Sequence, residues 1–177
     1  MIEATQRKLR EAQFFLRHLI EEGNRSVRDD PDAFGHYLSA LLSAARSVTF
    51  ALQFEEKEKY DAWFSTWSAG RTPEERELLI FLRDQRNNEQ KRGGAEVLVT
   101  WDYVPFSRAP ASDRSHPAYG FHWFGPPGTL APLVGIPVHS FESVSGDPAV
   151  VVKCRQYVEV LSQLVGDFIQ KHSAVAV

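Results

Sequence analysis

The sequence predicts a mainly all-α protein, an up-and-down antiparallel helical bundle with a small β-hairpin and loop insertion before the last helix. Apolar residues recur at three- and four-residue steps over most of the first 92 residues, as on one face of a helix. Eight of the ten prolines lie at or beyond position 105, and another long helical pattern follows them. Residues 95–146 are therefore interpreted as a Pro/Gly-rich, β-containing insertion in a single helical domain that spans residues 1–177.

The first two helices are predicted over residues 3–22 and 31–56. The first carries an apolar stripe and ends at Gly23, which tolerates a left-handed backbone. Asp30 is predicted as the N-cap of the second helix, with Pro31 at its first helical position. The middle of this second helix, LSALLSAARSVTFAL, is rich in alanine and serine, whose small side chains let neighbouring helices approach closely.

The third and fourth helices are predicted over residues 58–69 and from 73 to about 91. Tryptophan and phenylalanine side chains anchor the third helix. The fourth helix has a sharply defined start, because Thr72 is a good N-cap and Glu75 completes a capping box. The sequence therefore indicates a short turn between these two helices.

Strands are predicted after the fourth helix. Residues 96–104 are rich in β-branched and aromatic side chains, which favour a strand, and residues 119–124 and 134–141 are weaker candidates. Pro137 confines the last candidate to the edge of a sheet, because proline donates no backbone hydrogen bond. A final helix is predicted over residues 147–172, and its apolar face must pack against the earlier helices.

The composition excludes several classes of protein. The chain has 177 residues, 43% of them hydrophobic, which is sufficient for one domain with a core. Its net charge of −3 excludes a generally basic surface for gripping nucleic acid, but not a local basic patch. Cys154 is the single cysteine, so no internal disulfide forms, as is typical of a reducing compartment.

The sequence also lacks recognisable targeting and cofactor-binding motifs. The N-terminal residues carry charges throughout, unlike a secretory signal, and no stretch approaches the roughly 20 apolar residues of a membrane helix. We therefore expect a cytoplasmic, soluble protein without membrane association. The sequence has no phosphate-binding glycine loop and no nucleophile elbow, so neither a cofactor nor a metal is expected.

The polar end of the fourth helix, LRDQRNNEQKRGG, raises the question of function. Leu79, Leu82 and Arg86 are spaced by three and four residues, so Arg86 continues the apolar face of the helix. An unpaired charge on a buried face costs several kcal/mol. Arg86 therefore requires a carboxylate, a subunit interface or a phosphate group as its partner.

Arg46 raises the same question in the small-residue middle of the second helix. The sequence offers two kinds of candidate arrangement for its guanidinium group. It either pairs with Glu77 or Asp84, or joins Arg86 in a shared pocket. The first arrangement is a structural ion pair, and the second is a site for an anion.

The segments FGHYLSALLSAARSVTFALQ and LLIFLRDQRNNEQKRGG, taken together, resemble the HEPN superfamily of small helical bundles. The final helix fits as well, so the resemblance covers most of the chain outside the proline-rich insertion. Many members are metal-independent ribonucleases, whose motif is an arginine, a polar residue directly after it and a histidine further along the helix. On that motif the arginine is Arg86, the polar residue is Asn87, and the histidine position falls on Lys91.

Lysine at the histidine position bears directly on catalysis. RNA cleavage needs a base for the 2′-hydroxyl proton, which histidine supplies because it titrates near pH 7, and a cation for the phosphorane, which arginine supplies. An unperturbed lysine, with a pKa of about 10.4, is neutral in only about one molecule in a few thousand at pH 7. The resemblance thus implies a degenerate catalytic set of Arg86, Asn87 and Lys91. Phosphate or nucleotide binding falls to Arg46, Arg86, Lys91 and Arg92.

Three functions remain open from the sequence. The first is a HEPN-like protein with weak or no catalysis that binds RNA, a nucleotide or an antitoxin-like partner protein. The resemblance implies a homodimer with the Arg86 helices near the interface, in a prokaryotic toxin–antitoxin, phage-defence or stress context. The second is a metal-independent endoribonuclease that uses Arg86 with a relocated base, such as His36 or Lys91. The third is a purely structural module in which Arg46 and Arg86 form ion pairs.

Overall fold

The structure is a computed structural model that describes residues 2–25, 30, 32–92, 97–105, 133–141 and 149–173. Its helices are α1 (Glu3–Gly23), α2 (Ala33–Glu55), α3 (Lys57–Ala69), α4 (Pro73–Arg92) and α5 (Val150–Ser173). Its strands are β1 (Val97–Pro105) and β2 (Leu133–Phe141). The predicted fold class, a mainly helical bundle with a small antiparallel sheet before the last helix, is confirmed.

The start of α2 differs from the prediction by two residues. The N-cap position is occupied by Asp32, so the helix begins at Ala33. Asp30 does not cap the helix; its Oδ1 accepts a hydrogen bond of 2.9 Å from the backbone N–H of Asp32, which stabilises the preceding turn. The predicted role of Pro31 lies outside the described residues.

Gly23 ends α1 for a reason other than the predicted one. The residue that follows, Asn24, keeps a right-handed backbone with φ −91° and ψ −4°. A Cβ atom at Gly23 would lie 3.2 Å from side-chain atoms of both Phe34 and Val151. The close approach of α2 and α5 to the end of α1 therefore favours glycine here, because a Cβ atom would have to displace these two side chains, and a left-handed turn is not involved.

The hairpin of α1 and α2 is joined at its other end by Glu55. Ile2, the N-cap of α1, provides no side-chain hydrogen bond. Instead, the Glu55 carboxylate accepts hydrogen bonds from the backbone N–H groups of Ala4 (2.8 Å) and Thr5 (2.9 Å) and from the Thr5 hydroxyl (2.7 Å). Burial acts to raise the pKa of Glu55, but these hydrogen bonds outweigh it, and the pKa lies below its usual value.

Replacing Glu55 with glutamine is expected to lower the free energy of unfolding by about 1 kcal/mol at neutral pH, the size of a lost helix cap. Because its folded-state pKa is depressed, Glu55 stabilises the fold above the unfolded-state pKa. This stabilisation is lost as the pH falls through the folded-state value. Urea denaturation of the wild type and Glu55→Gln at neutral pH and at about pH 3 measures the difference. A difference of equal size at both pH values would contradict this role, and Glu159→Gln, on the exposed face of α5, is the control.

The helices alternate in direction. Arg71, just before α4, donates a hydrogen bond of 3.1 Å to Gln163 in the second half of α5. The ammonium group of Lys153, near the start of α5, lies 4.0 Å from the ring centroid of Phe81 in the middle of α4. These two contacts make α4 antiparallel to α5, and the contact of α5 with Gly23 makes it antiparallel to α1.

The core lies between α1, α2 and α5, with α4 packed on α2 and α5. Ala44 and Ala45 are buried in the middle of α2, where the predicted small side chains allow close helix packing. The largest fully buried side chains of the helices are Leu19, Leu38, Leu41, Leu42, Leu52, Leu82, Leu161 and Leu164. In this arrangement, residues of α2, α3 and α4 also line a common cleft.

The predicted capping box at the start of α4 is confirmed. The backbone N–H of Thr72 donates to Glu75 Oε2 (3.0 Å), and the backbone N–H of Glu75 donates to Thr72 Oγ1 (3.2 Å). This start fixes which side chains of α4 face α2 along its whole length.

The strands β1 and β2 form an antiparallel pair in which Trp101 lies opposite Pro137. In a sheet of two strands both strands are edges, so the predicted edge position of Pro137 is confirmed within the described sheet. Phe141 at the end of β2 is buried, and its ring lies 5.2 Å from that of Phe81. The predicted strand 119–124 and the predicted helix start at 147–148 lie outside the described residues.

None of the helices described, α1 to α5, is both long and apolar enough to cross a membrane.

Candidate functional site

A cleft of about 530 Å³ opens between α2, α3 and α4, and residues of α5 close its floor. Side chains from four helices meet here, although their positions are far apart in sequence. The charged and large aromatic residues that define its chemistry include Arg46, Tyr60, Trp67, Arg76, Arg83 and Tyr157.

Arg46 extends from the middle of α2 into this cleft. Its Nη1 donates to Thr49 Oγ1 (3.2 Å), and its guanidinium carbon lies 4.2 Å from the ring centroid of Phe50. It forms no ion pair with any residue that the structure describes, so the pairing with Glu77 or Asp84 left open by the sequence is not present. The positive charge of Arg46 is therefore available to a ligand in the cleft.

The two cleft arginines of α4 differ in their contacts. Arg76 donates from Nη1 to the backbone carbonyls of Ala69 (3.1 Å) and Arg71 (3.0 Å), which fixes the turn between α3 and α4. Arg83 donates from Nε to Asp84 Oδ1 (3.0 Å), and both of these side chains are exposed. Because an exposed ion pair contributes little free energy, Arg83 can exchange Asp84 for an anionic ligand at small cost.

Asp61 is the one acidic side chain among the described residues that line the cleft. It accepts hydrogen bonds from Lys57 and Gln53, which hold its pKa below the usual value. Three guanidinium groups thus face a single carboxylate that already has a cation beside it. The cleft carries a local positive charge in a chain whose net charge is −3, which favours an anionic ligand.

Two tyrosines bring hydroxyl groups to the floor and wall of the cleft. Tyr60 on α3 is 7% exposed and Tyr157 on α5 is 4% exposed. Burial raises the pKa of each to about 12, while the charge of Arg46 acts in the opposite direction. Neither hydroxyl has a hydrogen-bond partner among the described residues. Both phenols are therefore protonated at neutral pH and can donate to a ligand.

Arg86 and Asn87 lie one turn beyond Arg83 on α4. Arg86 is half-buried, its Nη1 lies 3.4 Å from Asn87 Oδ1, and its Nε is buried without a hydrogen-bond partner within the described structure. Arg86 is not among the described residues that line the cleft holding Arg46, so this cleft is not the shared pocket of Arg46 and Arg86 that the sequence left open.

The remaining residues of the motif lie at the end of α4. Lys91 is exposed, so it lacks the buried surroundings that convert a lysine into a base. The side chain of Arg92 lies outside the described residues. His36, the other base considered, is exposed near the start of α2. No histidine is found among the described residues that line the cleft.

Within the described ranges, no group of three or more histidine, cysteine, aspartate or glutamate side chains converges. Cys154 is fully buried, and burial raises its pKa to about 12, so it does not act as a nucleophile.

Apolar side chains border the same cleft. Phe50 is 50% exposed and Ile80 is 51% exposed, and both line the cleft. Phe54, one turn beyond Phe50 on α2, is 90% exposed. These three residues, here called the apolar rim, are large side chains that a globular protein normally buries or uses in binding.

Sequence reasoning identified Arg46 but missed Arg76, Arg83 and the two tyrosines. Arg76 and Arg83 are seven residues apart, which places them two turns apart on the same side of α4. This spacing can be read from the sequence alone and could have identified the pair. No local pattern distinguishes Tyr60 or Tyr157 from ordinary core residues. Their role depends on the packing of α3 and α5 around Arg46.

No family model, curated protein or solved structure matches the chain. The chemistry of the cleft is therefore interpreted from its own residues.

Proposed function

We propose that the protein is HEPN-like and binds RNA or a nucleotide through the arginine-lined cleft, with little or no ribonuclease activity. The observation that carries this proposal is the presence of three guanidinium groups in one cleft, with Arg46 unpaired within the described structure. Arginine is well suited to binding phosphate, because the planar guanidinium group offers two parallel N–H donors to the phosphate oxygens.

The basic side chains of α4 extend the site beyond the cleft. Arg76, Arg83, Arg86 and Lys91 follow one another along the helix, and at 1.5 Å per residue the first and last lie about 22 Å apart. Within this row, Arg76 and Arg83 lie two turns apart on the same side of the helix and can contact successive phosphates of one RNA strand. The local charge of this row agrees with a protein that lacks a generally basic surface.

Binding of single-stranded RNA should fall about 3- to 10-fold in Arg83→Ala, because a phosphate contact of an exposed arginine is lost. The slope of log affinity against log salt should also decrease by roughly one contact. Fluorescence anisotropy of a labelled oligonucleotide at several salt concentrations measures both quantities. The matched control is Arg155→Ala, which removes an exposed arginine of α5 away from the cleft. Equal effects of the two substitutions would contradict a role for the cleft.

A ribonuclease that uses Arg86 is the second candidate function. The buried Nε of Arg86, which has no partner within the described residues, and the adjacent Asn87 favour it. The exposed positions of Lys91 and His36 disfavour it, because neither side chain is held in place as a base.

The two candidates are separated by incubating RNA with a chelator and wild type, Arg86→Ala or Lys91→His. We expect no cleavage by the wild type and the appearance of weak cleavage in Lys91→His, which restores a group that titrates near pH 7. If the wild type cleaves RNA and Arg86→Ala does not, the protein is a ribonuclease that uses Arg86, and the binding function proposed above is wrong. The third function, a structural module built on ion pairs, receives no support from Arg46 or Arg86, neither of which forms one among the described residues.

The apolar rim of Phe50, Phe54 and Ile80 is assigned in this proposal to a second copy of the chain. The resemblance places the Arg86 helices near a dimer interface, and Ile80 lies on that same helix. An antitoxin-like protein is the alternative occupant, and a toxin–antitoxin, phage-defence or stress system is the corresponding context.

Phe54→Ser is expected to convert a dimer into a monomer without lowering the free energy of unfolding of the single chain, because this side chain is exposed in it. Sedimentation velocity of wild type and variant at equal concentrations measures the change. Val152→Ser, at a half-exposed apolar position of α5, is the control. If the wild type is a monomer, the proposed dimer is wrong, and the apolar rim is instead assigned to binding an antitoxin-like protein.

A further inference from the structure

Three donor groups without carboxylate partners line the same cleft: Arg46 from α2, Tyr60 from α3 and Tyr157 from α5. The part of the cleft lined by these three residues is called here its inner part. The charge of Arg46 acts to lower the pKa of both phenols. Both tyrosines are more than nine-tenths buried, and neither hydroxyl is hydrogen bonded to any residue described.

Both tyrosine side chains are largely buried, but neither hydroxyl is among the fully buried polar atoms without a partner, so both hydroxyls are accessible to solvent. Each can therefore donate a hydrogen bond to a ligand in the cleft. Two such groups beside one unpaired arginine form a concentration of donors with no acceptor from the described chain. The missing component is an anion that accepts several hydrogen bonds at once.

We infer that this inner part of the cleft binds a single phosphate monoester group through the guanidinium of Arg46 and the hydroxyls of Tyr60 and Tyr157. The inference rests on the proposed function, because it specifies which phosphate of the RNA or nucleotide the cleft holds.

The number of donors favours a monoester over a phosphodiester inside an RNA strand. A terminal phosphate has three unesterified oxygens and nearly two negative charges at neutral pH, whereas a phosphodiester has two such oxygens and one charge. The three donor side chains come from three different helices. Their number matches the three unesterified oxygens of one terminal phosphate.

Arg76 and Arg83 line the same cleft and are available to further phosphates of a bound RNA. The ligand is either the phosphorylated end of an RNA or a free mononucleotide, which share this terminal group.

The test compares short single-stranded RNAs that carry a 5′-phosphate, a 3′-phosphate or hydroxyls at both ends, together with free adenosine monophosphate. Wild-type protein is expected to bind one phosphorylated RNA about tenfold more tightly than the hydroxyl RNA, the effect of losing hydrogen bonds to a charged group. Tyr157→Phe should abolish this preference. Tyr37→Phe, a half-buried tyrosine that stacks on His18 outside the cleft, should keep it.

Each result supports or overturns the inference. If the wild type binds all the RNAs equally and does not bind adenosine monophosphate, the inference is overturned. The proposed function, RNA binding, is then retained. Binding of adenosine monophosphate that weakens in Tyr157→Phe, without any RNA binding, supports the pocket and rejects the RNA part of the proposed function. A preference that Tyr37→Phe loses to the same extent overturns the inference. Thermal unfolding confirms that each variant is folded, and Tyr60→Phe replaces Tyr157→Phe if that variant is not.

Discussion

Truncation of Trp67 to alanine is expected to lower the free energy of unfolding by about 3 to 5 kcal/mol, as for other buried tryptophans. Trp67 is 6% exposed, and its Nε1 donates a hydrogen bond of 2.8 Å to Asp167 of α5. The guanidinium of Arg71 lies 4.8 Å from its ring centroid, and the rings of Trp63 and Phe64 lie within 5.9 Å. The residue therefore holds α3 against α5 and forms part of the cleft wall.

Two milder substitutions separate packing from hydrogen bonding at this position. Trp67→Phe keeps much of the apolar contact but leaves Asp167 without its indole donor, so a loss of about 1 to 3 kcal/mol is expected. Asp167→Asn keeps an acceptor and removes the charge, and should cost less. Urea denaturation curves give all three values. A loss below about 1 kcal/mol for Trp67→Ala would show that α3 is not held in this way.

Arg46→Ala is expected to weaken binding of phosphorylated RNA by about 10- to 100-fold while changing the free energy of unfolding by less than about 0.5 kcal/mol. The loss of affinity follows from the charge-assisted hydrogen bonds that a guanidinium gives to phosphate. The small change in stability follows from the absence of any ion pair of Arg46 in the described structure. Anisotropy titrations and urea denaturation of the same preparations measure the two effects.

Arg46→Lys and Arg155→Ala are the controls for this substitution. Lysine keeps the charge but offers no paired donors, so an intermediate affinity is expected. Arg155→Ala removes an equal charge from the exposed face of α5 and should leave affinity nearly unchanged. A loss of several kcal/mol in stability without any effect on RNA would instead identify Arg46 as a structural cation, as expected for a broken buried ion pair.

The helices were predictable because their determinants are local. Apolar residues at three- and four-residue steps marked each buried face, and the Thr72–Glu75 capping box located the start of α4. The cap of α1 was not predictable in this way. Its acceptor is the Glu55 carboxylate, which lies about 50 residues along the chain from Thr5 and reaches it only once α1 and α2 have paired.

The site was predictable only in part for the same reason. The small-residue surroundings of Arg46 drew attention to it, but its lack of an ion pair depends on how α2, α3 and α4 pack. The resemblance directed attention to Arg86, whereas the cleft residues of α4 lie about one turn earlier, at Arg83, and nearly three turns earlier, at Arg76. Tyr157 became part of the site through the position of α5, which no motif in the sequence encodes.

The most direct test is to record the side-chain Nε–Hε resonances of the arginines by nuclear magnetic resonance while phosphorylated RNA is added. If the cleft binds phosphate, the signals of Arg46 and Arg83 shift in proportion to occupancy, and that of Arg155 does not. Movement of the Arg155 signal with Arg46 and Arg83 unchanged would show that RNA binds elsewhere on the protein and would contradict the role given to the cleft.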